Sequence, residues 1–191
     1  MIKLLIALVL LTPVAFASPL PSDIFQYTDK KKAYNELLIL ANNGDPIAKY
    51  YLGLLYAFGN GVDKNTEKAE QLLADASKQG VIKATTMLAS FYFTGNLNEI
   101  NYTKSYLLWR KSALVGNHES QLILGNFLTS QDNYLPGKEL EGIAWLHIAN
   151  SNKALTGEHL ETYNNLVSAL KPNELDQINI FVSKLKNIPN D

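Results

Sequence analysis

The sequence predicts an all-α solenoid of about three helix-pair repeats, with an N-terminal half-repeat and C-terminal capping helices. Three observations lead there. Like residues recur every 36 positions in five separate columns. A glycine closes each period where a helix should end. Between the glycines, apolar residues fall at three- and four-residue steps, the period of one helix face. The columns are Gly44, Gly80 and Gly116; Leu52, Leu88 and Leu124; Ala48, Ala84 and Ser120; Asp29, Asn65 and Asn101; Ala33, Ala69 and Ser105. A fixed period of this length marks a stacked array. One helix pair cannot bury its own apolar faces, so neighbouring pairs must cover them.

Taken in chain order, residues 1–17 (MIKLLIALVLLTPVAFA) read as a cleavable signal peptide. Lys3 supplies the positive end, Leu4–Leu11 the apolar run, and Ala15-Phe16-Ala17 the small-x-small cleavage site, with cleavage expected before Ser18. The apolar run is shorter than the roughly 20 residues of a spanning helix, so no membrane insertion is expected after cleavage. The expected location is therefore the periplasm or outside the cell. Residues 18–26 form a leader, and 27–43 match only the second helix of a pair, an N-terminal half-repeat. Repeats are expected over 44–79, 80–115 and 116–150, and a cap of two amphipathic helices over 151–191. These helices are Glu158–Leu170 and Pro172–Asn187, parted at Lys171-Pro172, since proline is tolerated in a first helical turn.

Each repeat is expected to run helix A, glycine loop, helix B, glycine turn. Asp45 and Pro46 suit an N-cap and first helical residue for helix A. Asp29, Asn65 and Asn101 suit the N-cap of helix B. Gly44, Gly80 and Gly116 suit the left-handed residue that ends it. Gly59 and Gly95 end helix A, and Gly53 and Gly125 leave room for a neighbouring helix, with Ala89 in the same role. The third repeat departs: Gln131 stands where Gly59 would be, and the period is expected to stop after Ala149. Trp109 and Trp145 fall on helix-B core columns and are expected to pack.

Composition narrows the function. Apolar residues make up 47%, enough for a core, while the net charge is −1 and Arg110 is the single arginine. Loss of Lys3 with the signal leaves 16 basic against 18 acidic residues, a mature charge of −2. No basic stripe exists for nucleic acid. Lys30-Lys31-Lys32, the one basic run, reads as a solvated helix start. With no cysteine, there is no lipid anchor on sulfur, no disulfide and no thiol chemistry.

These residues resemble the Sel-one-like repeat family, relatives of the tetratricopeptide repeats, whose pattern runs A-x-x-x-L-G-x-x-Y-x-x-G-x-G-V and then K-A-x-x-W-L-x-x-A-x-x-G. The first repeat carries Ala48, Leu52, Gly53, Tyr56, Gly59, Gly61, Val62, Lys68, Ala69, Leu73, Ala76 and Gly80. The second keeps Ala84, Leu88, Tyr92, Gly95, Lys104, Leu108, Ala113 and Gly116 but loses the Gly-x-Gly loop. The third keeps Leu124, Gly125, Trp145, Leu146 and Ala149. The resemblance implies a right-handed α/α superhelix whose concave face is lined by A helices. It also implies a non-enzymatic adaptor or scaffold of the bacterial envelope that binds a protein partner, without cofactor or metal. Cysteine-rich relatives linked to β-lactams use a disulfide in each repeat, and this chain has none.

By analogy with tetratricopeptide grooves, the concave face holds Ile47, Tyr50, Leu54 and Phe58 in repeat one. Lys83, Thr86, Ser90, Phe93 and Thr94 follow in repeat two, and Glu119, Leu122, Asn126, Thr129 and Ser130 in repeat three. The expected partner-binding set is Tyr50, Leu54, Phe58, Thr86, Ser90, Phe93, Leu122 and Asn126. Aromatic anchors such as Tyr50 and Phe58 carry much of the energy of interfaces. The opposing reading is that the half-repeat or the leader Ile24-Phe25-Gln26-Tyr27 folds over this face and makes it core.

No catalytic constellation is read. His118, His147 and His159 form no i, i+4 pair for a metal. His118 reads as a solvated turn residue and His147 as near the surface. The carboxylate pairs Glu139/Glu141 and Glu158/Glu161 suit solvated helix faces. Gly59-Asn60-Gly61 is the repeat's own turn, and there is no nucleophile elbow. Two further readings stand beside the adaptor: an inhibitor or immunity protein for a periplasmic enzyme, and an enzyme acting on cell-wall material. The chain is expected to be a monomer.

Overall fold

The computed structural model describes residues 30–132 and 134–186. The signal peptide, its cleavage site, the leader, Asp29 and Asn187 lie outside the described residues. The described residues hold nine helices and no strand, the all-α class the period predicts. They are α1 (Lys30–Asn42), α2 (Pro46–Phe58), α3 (Thr66–Lys78), α4 (Ile82–Thr94), α5 (Tyr102–Leu114), α6 (His118–Leu128), α7 (Glu139–Ser151), α8 (Gly157–Ser168) and α9 (Pro172–Lys186). The chain divides into two compact units between Asn101 and Tyr102.

In the first unit, α1 packs on α2, α2 on α3, and α3 on α4. The caps fall where local chemistry puts them. The Asp45 carboxylate accepts from the Ile47 and Ala48 amides at 2.8 and 3.0 Å, and Pro46 follows in the first turn. Asn65 accepts from the Lys68 amide at 2.9 Å. Helices α2 and α4 end on Gly59 and Gly95 with φ of 66° and 74°, the left-handed region that glycine enters without strain. The loops after them close with one shared bond: Asn65 N–H to Tyr56 C=O at 2.9 Å, and Asn101 N–H to Tyr92 C=O at 2.8 Å. The second loop keeps this closure although it lacks the second glycine. Gly61 runs so close to α1 that an added Cβ would sit 2.9 Å from the Lys30 Cβ. Leu97, one period on, is instead a buried apolar plug.

Helices α2 and α3 run antiparallel, since Tyr56 meets Asn65 while Gly53 meets Ala69 and Leu73. In the second unit α6 and α7 do the same, and more tightly. A Cβ on Gly125 would lie 2.6 Å from the Leu146 Cγ and 3.1 Å from the Gly142 carbonyl; one on Gly142 would meet the Leu128 Cβ at 2.7 Å. Two facing glycines thus set the spacing of this pair. Trp109 and Trp145 are fully buried, as their columns predict. The third loop, without its glycine, is closed by rings instead. Tyr134 stacks on Phe127 at 5.3 Å and 8°, lies 4.6 Å from Tyr102, and Phe127 in turn meets Trp109 edge-on at 5.4 Å.

The period does not stop at Ala149. Each closing turn makes the same two backbone bonds: Gly44 N–H to Ala41 and Asp45 N–H to Leu40; Gly80 to Ser77 and Val81 to Ala76; Gly116 to Ala113 and Asn117 to Ser112. A fourth copy follows, with Lys153 bonded to Asn150 and Ala154 to Ala149. It lies one residue late, as does Gly142, which falls one position after the place the 36-residue period from Ser105 would give. Lys153 fills the glycine slot at φ 58°, the one non-glycine residue with positive φ among those described. The helices beyond it cover α7. Ile178 and Val182 of α9 pack on Ile143 and Ala144, while Tyr163 of α8 joins Leu146, Ala149 and Leu155.

Candidate functional site

Helix α2 is apolar on nearly every side, and it is enclosed on nearly every side, as such helices are. Tyr50 is 2% exposed and Leu54 is also buried. These two, offered by the sequence as contact residues, present no surface to a partner in this fold. Phe58 does: it is 53% exposed, at the last position of α2, with its ring edge-on to Phe91 of α4 at 5.6 Å and 79°. On α4, Ser90 and Phe93 are buried, and Thr86 is half-buried. The Ser90 hydroxyl bonds back to the Thr86 carbonyl at 3.0 Å. On α6, the half-buried Leu122 and Asn126 face the chain's own C-terminal part. Leu122 joins the cluster around Tyr163, and the Asn126 amide reaches His159 Nδ1 at 3.3 Å. The first unit therefore sets Phe58 against Phe91, outside the expected set, while α8 engages Asn126 and the cluster around Tyr163 takes in Leu122.

The histidines are structural in their contacts. His147 Nδ1 meets the Tyr163 hydroxyl at 2.7 Å, and exposed His118 meets Gln121 and Asn152 at 3.3 Å each. His147 therefore faces α8 and is only half-exposed. Glu119 beside His118 has its carboxyl raised by burial. Glu141 corrects the sequence reading more sharply. Its side chain is 13% exposed, not solvated. It accepts from the Tyr106 hydroxyl at 2.9 and 3.0 Å, Arg110 Nε at 3.2 Å, Lys138 Nζ at 3.3 Å and Trp145 Nε1 at 3.4 Å. Lys138 also lies over the Tyr106 ring at 4.5 Å. Burial pushes the Tyr106 phenol up, Lys138 pulls it down, Glu141 pushes it up, and the balance is upward. Among the described residues no group of three His, Cys, Asp or Glu is placed to hold a metal ion.

A half-open cavity of about 490 Å³ lies in the first unit, which the sequence did not point to. α1 gives Lys31, Tyr34 and Asn35; α2 gives Tyr56; the loop and the start of α3 give Gly61 to Asn65 and Lys68. Tyr34 and Tyr56 share a hydroxyl–hydroxyl bond of 3.0 Å with rings at 89°, and Lys68 Nζ sits 5.2 Å over the Tyr56 ring. The bond to Tyr56 and burial together hold the Tyr34 phenol above its usual value. The sequence carried a faint signal: Lys64 and Lys68 stand on either side of the N-cap Asn65.

The Sel1 repeat family matches residues 46–81 and 82–117. The chain carries two Sel1 repeats. A Sel1 repeat protein from Oxalobacter formigenes has a similar solved structure, at TM-score 0.57 and 21% identity, covering 64% of this chain and 50% of that one. A second, c5321, is a protective antigen of uropathogenic Escherichia coli strains with an SLR fold; it aligns at TM-score 0.47 and 19% identity over 81% of this chain and 40% of its own. The chain thus spans half or less of the length of these two structures. The two Sel1 repeats run from the start of α2 to the turn after α5. Sel1 repeat proteins are generally protein-interaction scaffolds. Among the described residues no helix is long and apolar enough to cross a membrane.

Proposed function

We propose that the chain is an exported, non-catalytic interaction module of the bacterial envelope that binds a protein partner through the helix-A side of its Sel1 repeats. Phe58 is the observation that carries this reading. A large aromatic ring left 53% exposed at a helix end, backed edge-on by Phe91, is a rigid apolar anchor of the kind that dominates interface energies. A prefolded scaffold of this sort loses little conformational entropy on association. Thr86 on α4 offers a half-buried polar contact within the same unit.

The test is site-specific photo-crosslinking in cell extract from position 58, beside the same probe at Lys171, with the purified parent chain and its Phe58→Ala variant as competitors. A discrete adduct at 58 that is absent at 171, and that purified parent but not Phe58→Ala displaces, supports the reading. Equal labelling at both positions overturns it. Export is tested separately, by fractionation and N-terminal sequencing. A mature chain starting at Ser18 outside the cytoplasm is expected.

A further inference from the structure

We propose that the cavity between α1, the end of α2 and the loop before α3 recognises an acidic segment of a polypeptide. Its lining holds three ammonium groups, Lys31, Lys64 and Lys68, against one carboxylate, Asp63. The local charge is thus +2 on a chain whose net charge is −1. Ion pairs are found at Lys32–Glu36 and around Glu141, and among the described residues none joins a carboxylate to Lys31, Lys64 or Lys68. A positive cleft beside low-dielectric ring surface concentrates anions. Tyr34 and Tyr56 supply that surface, and their paired hydroxyls leave one hydrogen to donate outward.

The polar groups choose the class of anion. Asn35 and Asn65 stand on the lining together with Asp63. A free phosphate or a phosphodiester headgroup brings mostly acceptors and few donors, a poor match to a lining that includes the Asp63 carboxylate and two side-chain amides. Such unmatched groups cost affinity. A peptide brings both kinds: side-chain carboxylates for the ammoniums, and backbone N–H groups for the Asn35 and Asp63 oxygens. No arginine fork is present, which also disfavours a phosphate-specific site. The half-open shape suits an extended chain passing through rather than a small molecule enclosed. Phe58 is not part of this lining, so the cavity and the helix-A face stand or fall separately.

The experiment titrates 15N-labelled mature protein with acetyl-tetraglutamate amide. Acetyl-tetraglutamine amide, inorganic phosphate and phosphatidylglycerol vesicles serve as the other arms. Saturable shifts of the Gly61, Asn65 and Lys68 amides with tetraglutamate are expected, and none with tetraglutamine. Lys64→Glu/Lys68→Glu should weaken binding roughly tenfold or more, since it reverses two of three attracting charges. Lys171→Glu/Lys184→Glu, with the same change in net charge, should not. Lys64→Gln/Lys68→Gln repeats the test without new repulsion, and its melting curve reports whether the fold is intact. Absence of shifts at millimolar peptide overturns the proposal. So does equal loss in the control double variant, or phosphate or vesicles binding at the same amides as tightly as tetraglutamate.

Discussion

The Tyr92 phenol on α4 donates to the Glu70 carboxylate on α3, the same register at which Tyr56 on α2 meets Tyr34 on α1 one period earlier. Both pairs tie a helix A to the helix B before it. They differ in charge, and that difference is measurable. Tyr92→Phe should cost about 1–2 kcal/mol, because the hydrogen bond it removes goes to a carboxylate, and Tyr56→Phe about 0.5–1 kcal/mol. Chemical denaturation of the two variants checks the order.

The same pair sets a pH dependence. Burial, then Glu70, raises the Tyr92 pKa above its ordinary value of 10.0. A raised phenol favours the protonated folded form, so its contribution is complete below the unfolded pKa and is lost as pH rises through the folded one. Melting temperature should therefore fall above about pH 10. The slope should be shallower in Tyr92→Phe.

Glu141 gathers four donors from α5, α7 and the residue before α7. Glu141→Ala should destabilise by about 2–3 kcal/mol, leaving those donors without their shared acceptor. Arg110→Met should cost under about 1 kcal/mol, since that side chain is 36% exposed and its ion pair is partly screened.

Lys153 holds a left-handed conformation that costs a side-chain-bearing residue about 1 kcal/mol or more. Lys153→Gly should stabilise by about 0.5–1 kcal/mol, net of the added freedom of the unfolded chain. Gly116→Ala should lose about 1 kcal/mol. An added Cβ there has nothing within 4 Å, so that loss isolates the backbone effect.

Two of the helix-face glycines, Gly125 and Gly53, separate steric from backbone effects. Gly125→Ala should destabilise by about 1–3 kcal/mol, because its Cβ meets Leu146 and backbone on α7. Gly53→Ala should be close to neutral. Its nearest contact is the Leu73 side chain at 3.0 Å, and the gain in helix propensity of about 1 kcal/mol offsets the crowding. Thermal melts of both variants test this.

What the sequence carried was whatever a residue states about its own backbone. Gly44, Gly80 and Gly116 announce a left-handed turn, Asp45-Pro46 announces a helix start, and Gly53 and Gly125 announce close approach. Each was found in place. Glu141 was misread because its partners Tyr106, Arg110 and Lys138 come from two separate stretches, and only folding brings them to one carboxylate. The cavity escaped for the same reason, its lining coming from α1, α2 and a loop. Tyr50 and Leu54 were ambiguous by nature. An apolar residue says that it avoids water, not whether its own chain or another molecule covers it. Lys153 hid the fourth turn, since a lysine gives no hint of positive φ.

The four identical closing turns make the chain a natural ladder for modular engineering. Each turn satisfies its own two amides from the helix just ended, so it asks nothing of what comes next. A duplicate of residues 45–80 spliced in after Gly80 would begin and end on junction chemistry the protein already uses. Lengthening the array in that way needs no new hinge, only another copy of the rung.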